Sequence, residues 1–235
     1  MSSPEPLVLS PLGAELLDDP AADPAAVAAS LRDIARANRW FGGVAAMRRG
    51  LGRALAGLPR GSSVTLADLG TGLGDLPRAA VRWAARRGVR LAAVGLERSP
   101  VAARLAAAGG VPCAVACAGA TPLRDKSVDI VLVSQVAHHL SDESAVRLFR
   151  ECDRLARRAV VVADLRRGRL GPLAFWIGAR ALRFDPVTVA DGMTSIRRGY
   201  TSGELRRLLE TAGVCATVER RPGYRLVATW RPRDA

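Results

Sequence analysis

What this chain has little of narrows the reading first. Its four cysteines (Cys113, Cys117, Cys152, Cys215) form no C-x-x-C pair and stand at no useful spacing from its two histidines. A zinc site is therefore not expected, and scattered thiols fit a reducing, cytoplasmic setting. No uninterrupted apolar run reaches about 18 residues, so no membrane span and no membrane partner are expected. Residues 1–6 lack a basic segment followed by an apolar core, and a secretory signal is not expected either. Lysine is almost missing: every basic side chain except Lys126 is an arginine, in a chain of formal charge +13. Such a charge suits nucleic acid. The arginine pairs, however, recur in nearly every segment among abundant alanines. That pattern reflects G+C-rich coding more than a phosphate-tracking patch, and no nucleic-acid partner is expected. There is no internal repeat, and 235 residues make one α/β domain with a sizeable core.

What is present is organised around Asp68-Leu69-Gly70-Thr71-Gly72-Leu73-Gly74. An apolar β-type run (Val64, Leu66, Leu69) enters this turn and a helix-competent run (Leu76, Ala79, Ala80, Trp83, Ala84) leaves it. Glycines between strand and helix let the backbone approach a ligand closely. The next apolar run ends in Glu97, about 20 residues past the last glycine, where a carboxylate can accept both hydroxyls of a ribose. The alternation then predicts strand 64–69, helix 75–87, strand 90–96, helix 100–108 and strand 111–117. Strand 130–133, helix 142–155 and strand 159–163 follow. Parallel βαβ units with right-handed crossovers result. Asp23-Pro24 marks the start of a helix ending on Gly42-Gly43, and a second runs from about 44 to 58. Residues 1–20, with Pro4, Pro6, Pro11 and Pro20, read as an extended, partly mobile arm. Thr201 and Glu204 sit at capping-box spacing before the last helix. Two strands around Pro222-Gly223 read as a hairpin.

The D-x-G-x-G-x-G turn and Glu97 resemble the class I S-adenosylmethionine-dependent methyltransferases, and the resemblance runs nearly to the end of the chain. It implies a Rossmann-like, seven-stranded, mostly parallel sheet closed by a C-terminal antiparallel hairpin. Residues 1–60 would be an arm and helical cap, and residues 61–235 the methyltransferase domain, with 165–200 a lid-like insertion after the fifth strand. S-adenosylmethionine is the implied cofactor, held by Asp68, Gly70, Thr71, Gly72, Gly74, Glu97, Arg98, Cys117, Ala118 and Ser134. One departure stands out. The family commonly has an aspartate for the adenine amino group where this chain has Cys117, so either backbone groups or a water take the role or adenosine affinity is reduced.

The only two histidines, His138 and His139, are adjacent near the end of the fourth strand, and Asp164 ends the fifth on the same edge. A carboxylate there can orient an imidazole and raise its basicity. The chain is similar at this point to natural-product O-methyltransferases of secondary metabolism, in which such a pair acts as base. That implies His138 and Asp164 as the catalytic pair, with His139 beside them. Trp40, Phe41, Trp176, Arg197 and Tyr200 are candidate substrate contacts, and Arg198 is a further one for an acidic or phenolic acceptor. No metal is expected, on the argument that neighbouring side chains of an extended strand end point apart. The expected acceptor is a small molecule bearing a hydroxyl: aromatic, polyketide-like or glycosylated. A homodimer stays open. The competing readings are a nucleic-acid methyltransferase and a non-catalytic binding module on the same fold.

Overall fold

The computed structural model describes residues 7–233. The first six residues of the expected arm, Pro4 and Pro6 included, lie outside them. Seven strands form one sheet in the order β3-β2-β1-β4-β5-β7-β6. They are β1 (Ser63–Leu69), β2 (Arg90–Glu97), β3 (Cys113–Val115), β4 (Val128–Ser134), β5 (Ala156–Leu165), β6 (Thr217–Arg221) and β7 (Arg225–Trp230). The first five run parallel, and β7 and β6 close the sheet antiparallel. The fold is the expected Rossmann-like α/β arrangement.

Alternate residues of the central strands feed two cores, as the period of a strand buried on both faces requires. Leu66, Ile130, Leu132 and Val161 pack against α2 (Gly43–Ala54) and α3 (Asp75–Arg86). Leu69, Val131, Val133 and Val162 pack against α5 (Asp142–Leu155) and α8 (Ser202–Thr211). A smaller cluster joins α1 (Pro24–Trp40) to α4 (Pro100–Ala108) through Val27, Leu31 and Ala102. The helix starts follow the capping rules: Asp23 accepts from Ala26 N, Ser99 from Ala102 N, Ser141 from Ser144 N, and Thr201 closes a capping box with Glu204.

Three expectations change. The strand expected over 111–117 shortens to β3, because Pro112 has no N–H to donate and this strand lies at the sheet edge. The helix expected to reach residue 58 ends at Ala54, with Gly57 in the left-handed region at φ +76°. The insertion 165–200 holds two helices, α6 (Gly171–Ala181) and α7 (Pro186–Arg198), where one was expected. Both lie at the carboxyl edge of the parallel strands, where ligands bind in open α/β sheets.

Candidate active site

A cavity of about 790 Å³ opens at that edge, with walls from the glycine turn, the ends of β2 and β4, α1, α6, α7 and the N-terminal segment. At the end of the cavity formed by the glycine turn, Gly70, Gly72 and Gly74 take φ of +75°, +54° and +72°. A Cβ on Gly70 would run into Val136, so no other residue fits there without movement. Thr71 donates to Asp68 Oδ2 at 2.8 Å, while Asp68 Oδ1 is buried with no partner. Burial, with the charges of Asp75 and Glu97 adding to it, pushes the Asp68 carboxyl up to about 7. An orphaned buried carboxylate oxygen is a ready site for a cationic group. Glu97 accepts from Gly72 N at 2.9 Å and Ser99 N at 3.1 Å. Each oxygen keeps a second lone pair for a hydroxyl. Arg98, Cys117, Ala118 and Ser134 also line the cavity, and the Ser134 hydroxyl is buried without a partner. Gly74 does not reach the wall; it caps α3 against Val111.

The histidine end is built by a strained turn. Gln135 leaves β4 at φ +56°, held by its own N–H on Ala163 O at 3.0 Å and by its side-chain amide on Asn38 Oδ1 at 2.5 Å. Ala137–His139 then form a 3-10 turn, whose Ala137 carbonyl accepts from the Tyr200 hydroxyl at 2.8 Å. Asp164 Oδ2 accepts from Ala137 N at 3.0 Å, and its Oδ1 lies 2.6 Å from His138 Nδ1. Burial alone would raise the Asp164 carboxyl, but the charge and hydrogen bond of His138 outweigh it and hold the carboxyl below its ordinary value. With the Asp164 carboxylate as acceptor, Nδ1 is the nitrogen that carries the proton in the neutral tautomer, and Nε2 then keeps the lone pair. That Nε2 is buried, has no hydrogen-bond partner among the described residues, and belongs to a residue on the cavity wall.

The arm expected to be partly mobile is fastened over this end. Val8 and Ser10 exchange backbone hydrogen bonds with Ser141 and His139. Arg198 donates to Leu12 O at 2.8 Å, Gly13 O at 2.5 Å, Glu15 Oε1 at 3.0 Å and Asp18 Oδ2 at 3.1 Å. Its guanidinium is spent within the protein and is not offered to an acceptor. Asp18 also lies 3.1 Å from His139 Nδ1.

The two imidazoles do not point apart. On a 3-10 turn their ring centroids lie 4.3 Å from each other, which corrects the argument from strand geometry. Glu15, His138 and His139 bring one donor atom each within 4.8 Å of one another. These donors suit a divalent cation in kind, but the carboxylate of the group is already neutralised by Arg198.

Of the expected substrate contacts, Trp40 and Phe41 line the cavity. Phe41 packs edge-on to Phe175 at 5.8 Å and near Phe184 at 6.1 Å, two wall residues without a sequence signal of their own. Trp176, Arg197 and Tyr200 are not brought to the wall. Trp176 and Arg197 are exposed, and Tyr200 is buried behind the histidine turn. Sequence reasoning also missed Arg225, which lines the cavity while 3 % exposed. Its Nε donates to Phe41 O at 3.2 Å, its Nη1 has no partner, and burial pulls its pKa down to about 10 despite Asp164 nearby.

Residues 67–163 match the family model of the methyltransferase domain. Among curated proteins no sequence matches. An S-adenosylmethionine-dependent methyltransferase from Aquifex aeolicus aligns with TM-score 0.59 at 17% identity, over 90% of this chain and 99% of that one. A putative methyltransferase of Haloferax volcanii, in complex with the Trm112 activator, aligns with TM-score 0.58 at 17% identity, over 90% and 97%. The magnesium protoporphyrin IX methyltransferase of Synechocystis PCC 6803, with bound cofactor, aligns with TM-score 0.53 at 14% identity, over 81% and 80%. The matched domain is a methyltransferase domain, and S-adenosylmethionine is the cofactor that this match supports. S-adenosylmethionine-dependent methyl transfer is the activity that the matched domain supports.

Proposed function

We propose that the protein methylates a hydroxyl of a small, largely apolar aromatic acceptor, with His138 as general base and Asp164 holding it. The observation that carries this is the His138–Asp164 pair at 2.6 Å, whose free Nε2 belongs to the same cavity wall as the glycine turn. The cofactor supplies an electrophilic methyl group when bound. Asp68, Gly70, Gly72, Glu97 and Ser134 would hold it, the orphaned Asp68 oxygen taking its ammonium and Glu97 its ribose. Where the family has an aspartate for adenine, residues 116–118 offer backbone groups and the Cys117 thiol.

His138 Nε2 takes the proton of the acceptor hydroxyl, and Asp164 stabilises the imidazolium that results. Phe41, Phe175 and Phe184 exclude water and present edges to a planar ring. Arg225 Nη1 gives a second oxygen of the acceptor a donor, so a carbonyl or further hydroxyl beside the reacting one fits this wall. The two helices of residues 165–200 act as the lid. Small-molecule secondary metabolism in the cytoplasm is the setting that this reading implies.

The test is kinetic. His138→Ala should lower kcat by about 10²–10⁴ while cofactor affinity, read by calorimetry, stays within about twofold. Asp164→Asn should lower it less, because the base remains and only its orientation and charge partner change. Turnover should survive a chelator, since no step uses a metal. Wild-type turnover in His138→Ala would end the base assignment, and loss of turnover with a chelator would move Glu15, His138 and His139 to a metal site.

A further inference from the structure

Helix α6 is apolar on both sides. Its inner side carries buried Gly171 and Ala179, with Phe175 on the cavity wall. Outward it shows Leu173, Trp176 and Ile177, exposed to 56%, 44% and 56%, with Leu170 just before it at 67% and Val187 of α7 at 49%. Leu170, Leu173 and Ile177 follow the i, i+3, i+7 spacing of one helical stripe. An 11-residue helix is about 16 Å long, too short to cross a bilayer, and no helix of the described residues crosses one. The surroundings are mostly basic, with Asp185 at the start of α7 the nearby exception. Between residues 165 and 184 there are five arginines and no acidic residue. Among the described residues Arg169, Arg180 and Arg183 are exposed without a salt bridge, and Arg180 stacks on Trp176 at 5.3 Å. An apolar stripe with an interfacial tryptophan, flanked by unpaired arginines, has the makeup of a helix that lies in a membrane surface.

We propose that the outer face of α6 seats the protein on an anionic phospholipid bilayer. The charge complementarity selects that occupant over a neutral surface. Phe41 joins the two environments, with its ring against Gly178 of α6 and its neighbour Trp40, 63% exposed, also on the cavity wall. The seated face would then lie beside the cavity wall, giving an apolar acceptor dissolved in lipid a short route to it. The docking itself is measured without cofactor or acceptor, so it stands or falls apart from the proposed reaction.

The experiment is co-sedimentation with vesicles of phosphatidylcholine alone, or of three parts phosphatidylcholine to one part phosphatidylglycerol. Wild-type protein should pellet with the anionic vesicles at least about fivefold more tightly than with the neutral ones. A Leu173→Ser/Ile177→Ser variant, altered at two exposed positions, should bind anionic vesicles about tenfold more weakly while its cofactor affinity is unchanged. Three results overturn the proposal: no pelleting of the wild type, equal pelleting with both vesicles, or a variant that pellets like the wild type. The last would assign binding to arginines elsewhere. Self-association that the double variant abolishes, in a wild type that ignores vesicles, would give the face to a second copy of the chain and likewise overturns it.

Discussion

At the scale of single residues, the site is a set of buried polar atoms left incomplete by the protein itself. Asp68 Oδ1, Ser134 Oγ, His138 Nε2 and Arg225 Nη1 are buried without partners, and all four residues line one cavity. Orphaned groups cost stability unless a ligand satisfies them. For Asp68 this has a pH signature. With its pKa near 7 the empty site holds a proton at lower pH, and a cationic cofactor group requires the carboxylate. Affinity should therefore rise as pH rises through that value, by about five- to tenfold between roughly pH 6 and pH 7.5, and Asp68→Asn should flatten the dependence. Calorimetry at the two pH values checks it; a flat wild-type profile would remove Asp68 from the cation site. Arg225→Met should raise the acceptor KM about tenfold and leave cofactor affinity alone, as loss of one buried charged donor implies. His138 and Asp164 were legible as residues because only two histidines exist and strand ends are counted easily. Arg225 was not, since nothing in the spacing of a C-terminal hairpin says that one arginine turns inward.

At the scale of elements, the N-terminal segment is the feature the sequence concealed. Four prolines suggested a loose arm, yet residues 7–19 hold Glu15 and Asp18 in a buried network around Arg198, about 180 positions away. Burial would raise the Asp18 carboxyl, but the hydrogen bond and charge of His139, with Arg198, hold it at about 2. Removing the cation leaves two buried carboxylates facing each other. Arg198→Met should cost about 3–5 kcal/mol, seen as a lowered Tm, and should speed hydrogen exchange of residues 9–19. Unchanged exchange there would mean that the backbone pairing with Ser141 and His139 holds the segment by itself. Helix α7 was legible and went unread: Asp185-Pro186 repeats the Asp23-Pro24 signal, and Asp185 accepts from Val187 N at 2.9 Å. The shortening of β3 followed from Pro112, a residue visible in the sequence whose effect depends on the strand's place at the sheet edge.

At the scale of the whole molecule, the alternation of apolar runs already implied the sheet, because strands covered on both faces and separated by helices admit few other arrangements. The cavity walls were much less legible. Asn38, Phe175, Phe184 and Arg225 come from four elements or joining loops, and only the closed fold brings them to one cavity. The arginines divide at this scale too: some are engaged in ion pairs such as Arg49–Glu219 and Arg154–Glu151, while Arg169, Arg180 and Arg183, on and beside α6, have no salt bridge among the described residues. Methyl transfer to oxygen with His138 as base is the reaction proposed for this cavity. The most direct measurement is to supply cofactor labelled with carbon-13 in the methyl group, together with planar phenolic acceptors, and to locate the label in the product by mass and carbon NMR. The account predicts a gain of one methyl on a phenolic oxygen, lost with His138→Ala. Label found on carbon or nitrogen, or on oxygen at an undiminished rate in His138→Ala, would contradict it.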